Sequence, residues 1–178
     1  MKPLCVFGIL DTPTGREIAR EMLAWLHIYY DVRQIRHDGT LFEFPALLAA
    51  KRLSEETNEP VLYIHTRGAV NVWPTTIPTR KCWKEEFGVQ WEKYFTLART
   101  DEPLVLCPFV DYNNETRYNG FVANAAAWKE IDLLPSKDRM VFEKLWSNKP
   151  NVRVVGLLVN SDKHDIKKIR AYLNKNYS

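Results

Sequence analysis

The chain has 178 residues, a length typical of one domain and long enough to bury a sizeable core. Apolar residues make up 46% and charged residues 26%, a balance that excludes disordered, collagen-like and coiled-coil proteins. The net charge of +3 is too small to indicate nucleic-acid or membrane binding by itself, and we expect no nucleic-acid partner. No apolar run is long enough to predict a transmembrane helix.

The first elements of the chain are a strand and an amphipathic helix. The apolar run from Leu4 to Leu10 predicts a strand that is buried on both faces. Its likeness to a short signal peptide ends at Asp11, since no small-x-small cleavage site follows. Thr14 and Glu17 have the spacing of a capping box, and apolar residues recur at helical spacing beyond them. We therefore expect the first helix to begin at this box and to cover one face of a sheet.

Strands and helices alternate along the rest of the chain. The further strands that the apolar patterns predict lie at 31–37, 61–64, 104–110 and 152–159. The predicted helices lie at about 45–57, 80–98, 128–134 and 135–146, with a last one capped by Ser161 or Asp162. Pro108 indicates that the strand around it ends early or lies at a sheet edge. This alternation predicts a single α/β domain over residues 1–178, built as a three-layer sandwich.

The three cysteines, Cys5, Cys82 and Cys107, are odd in number and far apart in the sequence. Cys5 and Cys107 lie in apolar runs, and no pair has the spacing of metal ligands. We therefore expect small core residues in a reducing, cytoplasmic compartment, and no metal site built on cysteine.

The strand end at 63–68 has three consecutive residues that can donate hydrogen bonds to a ligand or transfer protons. Ligands of an α/β sheet usually bind beyond the C-terminal ends of its strands, which places this segment with 11–15 and 111–119. His65 is a candidate acid, base or phosphate donor, and Arg67 offers a planar fork of donors for phosphate or carboxylate. The alternative is a half-buried histidine beside a solvated arginine.

Five segments, in order, resemble a family of small glycosyltransferase-like proteins from bacterial surface-polysaccharide clusters and large viruses. The strand end VLYIHTRGAV, which includes Thr66 and Gly68, resembles the family's "LYhHTKG" motif. The other matching pieces are Phe42–Leu47 ("E-x-P-x-L"), Trp83-Lys84 with Trp91 and Tyr94-Phe95 ("WR…YF"), Tyr118–Val122 ("HFSGNFWWA") and the closing Ile131–Pro135 ("Y-I-x-x-LP"). The resemblance covers roughly Glu43 to Pro135, about half of the chain.

This resemblance implies a GT-A type fold with a mixed, mostly parallel sheet, a nucleotide-diphosphate sugar as donor and a glycan or lipid-linked acceptor. Many such enzymes hold a divalent cation, Mn²⁺ or Mg²⁺, with an Asp-x-Asp at a strand end. The matching strand end here, His65-Thr66-Arg67, has no carboxylate, so the metal is in doubt and Arg67 would neutralise the diphosphate. Asn119 and Gly120 resemble the "N-x-G" turn that follows the donor site in glycogenin-like transferases.

Sugar transfer requires positive charge for the leaving diphosphate and, in some enzymes, a base for the acceptor hydroxyl. Arg80, Lys81 and Lys84 are candidate phosphate partners at the expected start of a helix, whose N-terminus favours phosphate. Asp111, at a strand end, is the candidate base or hydroxyl partner, and a turn residue is its alternative. Asp11 is a candidate contact for the nucleotide base or ribose, with an Asx turn as its alternative.

The C-terminal helix is rich in basic residues: Lys163, His164, Lys167, Lys168, Arg170 and Lys175. A helix of this kind is a candidate for peripheral contact with an anionic membrane surface, where lipid-linked acceptors lie. A solvated helix face is the alternative.

Three interpretations stay open from the sequence. The first is a small glycosyltransferase that uses a nucleotide-diphosphate sugar. The second is a non-catalytic nucleotide- or glycan-binding module, which the missing Asp-x-Asp and the altered segment 121–124 favour. The third is a doubly wound nucleotide- or phosphoacceptor-binding domain, with the family match accidental, whose sheet would be parallel throughout whereas a GT-A sheet is mixed.

Overall fold

The computed structural model describes residues 1–67, 69, 74–110, 116, 120–138, 141–142, 144–147, 149–159 and 166–177. Its strands are β1 (Leu4–Leu10), β2 (Asp31–His37), β3 (Val61–His65), β4 (Leu104–Phe109), β5 (Phe121–Ala123) and β6 (Arg153–Val159). Its α-helices are α1 (Pro13–Tyr29), α2 (Phe44–Thr57), α3 (Thr76–Trp83), α4 (Trp91–Ala98), α5 (Ala125–Lys129) and α6 (Ile166–Tyr177), and a π-helical segment spans Lys84–Val89.

The strands form one six-stranded sheet in the order β2-β1-β3-β5-β4-β6. β1 is parallel to β2 and β3, and β4 is parallel to β6. β5 alone is antiparallel, to both β3 and β4, so the other five strands end at one edge. The prediction of an α/β fold with a mixed, mostly parallel sheet is confirmed, and no all-parallel sheet is formed.

Helices cover both faces of the sheet because the strand side chains alternate between two apolar cores. Cys5 and Phe7 of β1 pack with α1 and α4, whereas Val6 packs on the opposite face with α2 and α5. A third cluster joins α6 to the sheet through Ile169, which packs with Cys82 of α3 and other buried residues. Cys5 and Cys107 are buried free thiols, as predicted, and Cys82 is buried as well. Within the described part of the chain, no helix is both long and apolar enough to cross a membrane.

The first helix begins earlier than the capping box predicts. Thr12 is the N-cap residue, and its Oγ1 accepts a hydrogen bond from the Gly15 amide at 3.0 Å. Pro13 suits the first helical position, because it lacks the amide hydrogen that would have no partner there. A Cβ on Gly15 would lie 2.0 Å from the Leu10 carbonyl oxygen, so glycine allows the helix to start this close to β1. The helix start predicted from the capping box at Thr14 was therefore wrong by two residues.

The helix expected over 80–98 is divided into three helical segments: α3, the π-helical segment and α4. Gly88 lets this chain approach α1, since a Cβ there would lie 3.3 Å from the rings of Trp25 and Tyr29. The Tyr30 hydroxyl donates a hydrogen bond to the Phe87 carbonyl, which gives that carbonyl a partner outside the helix. Tertiary contacts with α1 thus accompany a π-helical segment that the periodicity did not predict.

Three further predictions were wrong in their local detail. β4 is an interior strand between β5 and β6, and the register with β6 shifts between Cys107 and Phe109, which accommodates Pro108. The short helix predicted from Trp128 begins instead at Ala125, because the Asn124 side chain caps it. Residues 131–138 are not helical, so the helix predicted from 135 is not formed at its start. The predicted caps Ser161 and Asp162 lie outside the described residues.

Candidate functional site

The common edge at which the parallel strands end contains a change in the direction of the chain connections. From β1 the chain leads through α1 to β2 on one side, and from β3 it leads towards β4 on the other side. β1 and β3 are neighbours, so the ends of these two strands form the switch point at which ligands of α/β sheets usually bind.

Thr66 joins the ends of β1 and β3. Its amide donates to the Gly8 carbonyl at 2.9 Å, and its Oγ1 accepts from the Leu10 amide at 3.0 Å. The residue is only 5% exposed, so its hydroxyl extends the pairing of the two strands. Thr66 therefore fixes the backbone on which the predicted His65 and Arg67 are carried.

His65 is paired with a carboxylate that the sequence did not single out as a site residue. Its Nε2 lies 3.6 Å from Oε1 of Glu43, and both side chains are 15% exposed. The hydroxyl of Tyr63 donates a hydrogen bond to the other oxygen of Glu43, Oε2, at 3.1 Å. Burial raises the pKa of Tyr63 well above its ordinary value, so this hydroxyl keeps its proton and acts as the donor. The rings of Tyr63 and His65 stack with centroids 6.2 Å apart.

The loop that delivers Glu43 holds two residues with positive φ. Gly39 has a φ of 87°, and Phe42, directly before Glu43, has a φ of 48°. A bulky residue rarely adopts this region, so the surrounding structure must hold it there. The Asp38 carboxylate accepts hydrogen bonds from the amide and the hydroxyl of Thr40, which lower the pKa of Asp38. The position of Glu43 is thus set by a constrained loop.

A second histidine lies near this pair at the end of β2. Burial lowers the pKa of His37, and His65 lowers it further, whereas the carboxylates of Glu43 and Asp38 oppose the shift. The buried Nδ1 of His37 has no hydrogen-bond partner within the described part of the chain. Glu43 is therefore a negative charge that interacts with two imidazoles.

Aromatic packing links this cluster to the start of β5. The indole of Trp83 meets the His65 ring edge to face, with centroids 5.7 Å apart. A Cβ on Gly120 would lie 2.6 Å from the same indole, so only glycine lets the backbone lie against it. Gly120 is thereby placed one side chain away from His65.

The predicted basic residues have different surroundings from those expected. Arg80 lies in the last turn of α3 with Lys81, so the phosphate preference of a helix N-terminus does not apply to them. Its Nη1 donates to the Arg67 carbonyl at 3.0 Å, and its Nη2 lies 3.4 Å from Glu21, which supports the turn after β3. Lys84 is exposed and begins the π-helical segment, which continues directly from α3. It therefore does not lie at the free N-terminus of a helix, as was predicted.

Asp11 follows β1 at the same edge, and its carboxylate lies 2.8 Å from Nη1 of Arg16. Both side chains are about half exposed, and the Asp11 amide donates to the His37 carbonyl at 2.8 Å. The predicted Gly68, Asp111 and Asn119 lie outside the described residues. Among those residues, no group of three or more histidine, cysteine or acidic side chains is arranged to hold a metal ion.

The structure thus brings His65, Thr66, Arg67 and Arg80 together at one strand end and places Gly120 against the adjoining Trp83. Sequence reasoning missed Glu43 as a partner of His65. The alternation of side chains along a strand predicts that Tyr63 and His65 share a face, and this was the sequence signal for a polar cluster there. Nothing in the local pattern predicts that the loop before α2 brings a carboxylate onto that face.

A separate cavity of about 360 Å³ lies at the opposite edge of the sheet. Its lining includes Asn58, Arg99, Asn124 and Lys129. The Nδ2 group of Asn124 already donates hydrogen bonds to the carbonyls of Thr100 and Glu102, at 2.9 and 2.8 Å.

Comparisons of the chain with protein-family models, with curated proteins and with solved structures find no match.

Proposed function

We propose that this chain is a glycosyltransferase-like domain that binds a nucleotide-diphosphate sugar at the ends of β1 and β3. In this proposal the sugar is transferred to a glycan or lipid-linked acceptor. The mixed sheet is consistent with a GT-A type fold and argues against a doubly wound parallel sheet.

One observation carries the proposal: four of the five matching segments meet in space. Glu43, from the first segment, contacts Tyr63 and His65 of the second. His65 packs on Trp83 of the third, which in turn meets Gly120 of the fourth. Segments that are unrelated to a common site would not be expected to converge side chain by side chain on one strand end.

The chemistry of this strand end suits a diphosphate. A guanidinium can donate two parallel hydrogen bonds to phosphate oxygens, and positive charge stabilises the leaving diphosphate as it develops. Arg67 carries this charge in the proposal, and Arg80 supports it through the Arg67 carbonyl. We therefore propose that the site binds the donor diphosphate without a metal ion.

Thermal unfolding with UDP, GDP and their sugars, each with Mn²⁺ or with a chelator, tests the proposal. A ligand at about 100 times its Kd should stabilise the fold by roughly 2.7 kcal/mol. The stabilisation should persist in chelator and be lost in Arg67→Ala. Arg153→Ala is the matched control, since Arg153 is exposed and begins β6 at the opposite edge. Wild-type protein that no nucleotide stabilises would contradict the proposal.

The second candidate is a non-catalytic nucleotide- or glycan-binding module. It is favoured by the strand end His65-Thr66-Arg67, which has no carboxylate where many GT-A enzymes have Asp-x-Asp, and by the altered segment 121–124. Binding of a nucleotide sugar without release of the nucleoside diphosphate would select this candidate.

A further inference from the structure

We infer that His65 is the general base of the transfer reaction and that Glu43 is its positioning partner. This inference rests on the proposed function, because it assigns roles within the proposed donor site. It goes beyond that proposal in moving the catalytic role from Asp111 to a histidine–carboxylate pair.

The geometry places the imidazole of His65 within ion-pair distance of the Glu43 carboxylate. Nε2 of His65 faces Oε1 of Glu43 at 3.6 Å, while Tyr63 holds the other carboxylate oxygen by a hydrogen bond of 3.1 Å. A carboxylate at this distance from an imidazole stabilises the imidazolium that forms when the ring takes up a proton.

The surroundings of the pair favour proton transfer over a role in stability alone. Each side chain of the pair keeps 15% of its surface exposed, at the edge where the donor is proposed to bind. Titratable side chains beside His65 include Glu43, Tyr63 and His37, and the indole of Trp83 packs against its ring. Phe42 is held at a positive φ directly before Glu43, so the fold keeps this carboxylate in place despite local strain.

The proposed step is balanced without a further reactant. The acceptor oxygen forms a bond to C1 of the sugar as the bond from C1 to the phosphate oxygen breaks. The electron pair of the broken bond leaves with the nucleoside diphosphate. The proton of the acceptor hydroxyl passes to the imidazole of His65, and the charge of Glu43 stabilises the resulting imidazolium. Water can replace the acceptor in this step, which then hydrolyses the donor.

Hydrolysis of UDP-glucose and GDP-mannose by the full chain, followed as release of UDP or GDP between pH 5 and 9, tests the inference. Loss of a positioned base should lower kcat of His65→Gln by roughly 10²-fold or more. Glu43→Gln should keep the KM for the donor, lower kcat and move the acid limb of the rate profile to lower pH, because an imidazole without its carboxylate is less basic. Glu55→Gln is the control, as Glu55 pairs with Lys51 on α2 away from the site.

An NMR titration of the histidine ring protons provides a readout that does not depend on turnover. The His65 resonance, assigned with His65→Gln, should titrate at lower pH in Glu43→Gln than in wild type or Glu55→Gln. Equal titration in all three proteins would overturn the pairing. Circular dichroism establishes that each variant is folded before either experiment.

The outcomes separate this inference from the proposed function. Failure to bind any nucleotide sugar would overturn both. Donor binding with hydrolysis whose pH profile is unchanged in Glu43→Gln would leave the proposed function and overturn the role of the pair. Donor binding without hydrolysis at any pH would overturn the catalytic role and select the binding module.

Discussion

The hydroxyl of Thr66 accepts a hydrogen bond from the backbone amide of Leu10 at 3.0 Å, and this contact joins the two strand ends that flank the proposed site. The regular pairing of β1 with β3 ends at Gly8 and His65, so Thr66 continues it with a side chain. His65 and Arg67 lie on either side of this buried hydroxyl in the sequence, so it helps to position both.

Thr66→Val tests the contribution of that hydroxyl to stability. Valine has nearly the same shape, so the substitution leaves the Leu10 amide without its partner. We expect a loss of about 1–3 kcal/mol in the free energy of unfolding, measured by urea denaturation. Thr66→Ser keeps the hydroxyl and should recover most of the loss. A valine variant as stable as wild type would show that the Leu10 amide finds another partner.

Gly120→Ala tests the close approach of the β5 start to Trp83. The new Cβ would lie 2.6 Å from the indole, so the ring or the backbone must move, at a cost of about 1–3 kcal/mol. Near-ultraviolet circular dichroism should change, because Trp83 is buried, and nucleotide affinity should fall with it. Gly88→Ala should cost less, since its Cβ would lie 3.3 Å from the rings it meets and those rings need to move only by about a few tenths of an ångström. An unchanged spectrum in Gly120→Ala would contradict this packing.

Glu86 predicts a pH dependence of stability that does not involve the proposed site. The residue is 5% exposed, and burial raises its pKa above the ordinary value of 4.5, although the Tyr94 hydroxyl, which donates to Oε2 at 2.9 Å, opposes the shift. The folded state therefore holds the proton more tightly than the unfolded state. Above pH 4.5 unfolding releases a proton, so wild-type stability should fall as pH rises through the interval up to the raised pKa.

Glu86→Gln isolates this effect, because glutamine still accepts from Tyr94 and does not titrate. The free energy of unfolding of the variant relative to wild type should increase between pH 4 and pH 7 in urea denaturation. Glu92→Gln, at an exposed position of α4, should show no such trend. A difference between Glu86→Gln and wild type that is the same at both pH values would contradict the raised pKa.

Asp11 has two candidate roles that mutation can separate. Its ion pair with Arg16 is about half exposed, and exposed pairs of this kind contribute at most about 1 kcal/mol. Asp11→Asn and Arg16→Gln should therefore unfold at nearly the wild-type temperature. A contact of Asp11 with the nucleotide predicts weaker nucleotide binding in Asp11→Asn than in Arg16→Gln, measured by calorimetry. Equal affinities in the two variants would assign Asp11 to the ion pair alone.

The sequence predicted those parts of the fold that depend on local pattern. The apolar run of β1 and the proline in the first turn of α2 both lie where the pattern predicts them. The π-helical segment was not predictable, since it depends on Gly88 meeting Trp25 and Tyr29 of another helix.

The candidate site was predictable only in part for the same reason. His65, Thr66 and Arg67 follow one another in the sequence, so a strand end places them together. Glu43 reaches His65 through the turn at Phe42, whose positive φ no residue preference predicts. The partners that complete a site come from distant parts of the chain, and the local pattern carries no information about them.

The most direct test of the central claim is to map where a nucleotide sugar binds. We would titrate the ¹⁵N-labelled chain with UDP-glucose and with GDP-mannose and follow the backbone amides. The amide resonances of Leu10, Thr66 and Arg67, at the ends of β1 and β3, should change their chemical shifts when the donor is added. Arg67→Ala should abolish these changes. Shifts confined to Asn58, Arg99 and Asn124, which line the cavity at the opposite edge, would contradict the central claim.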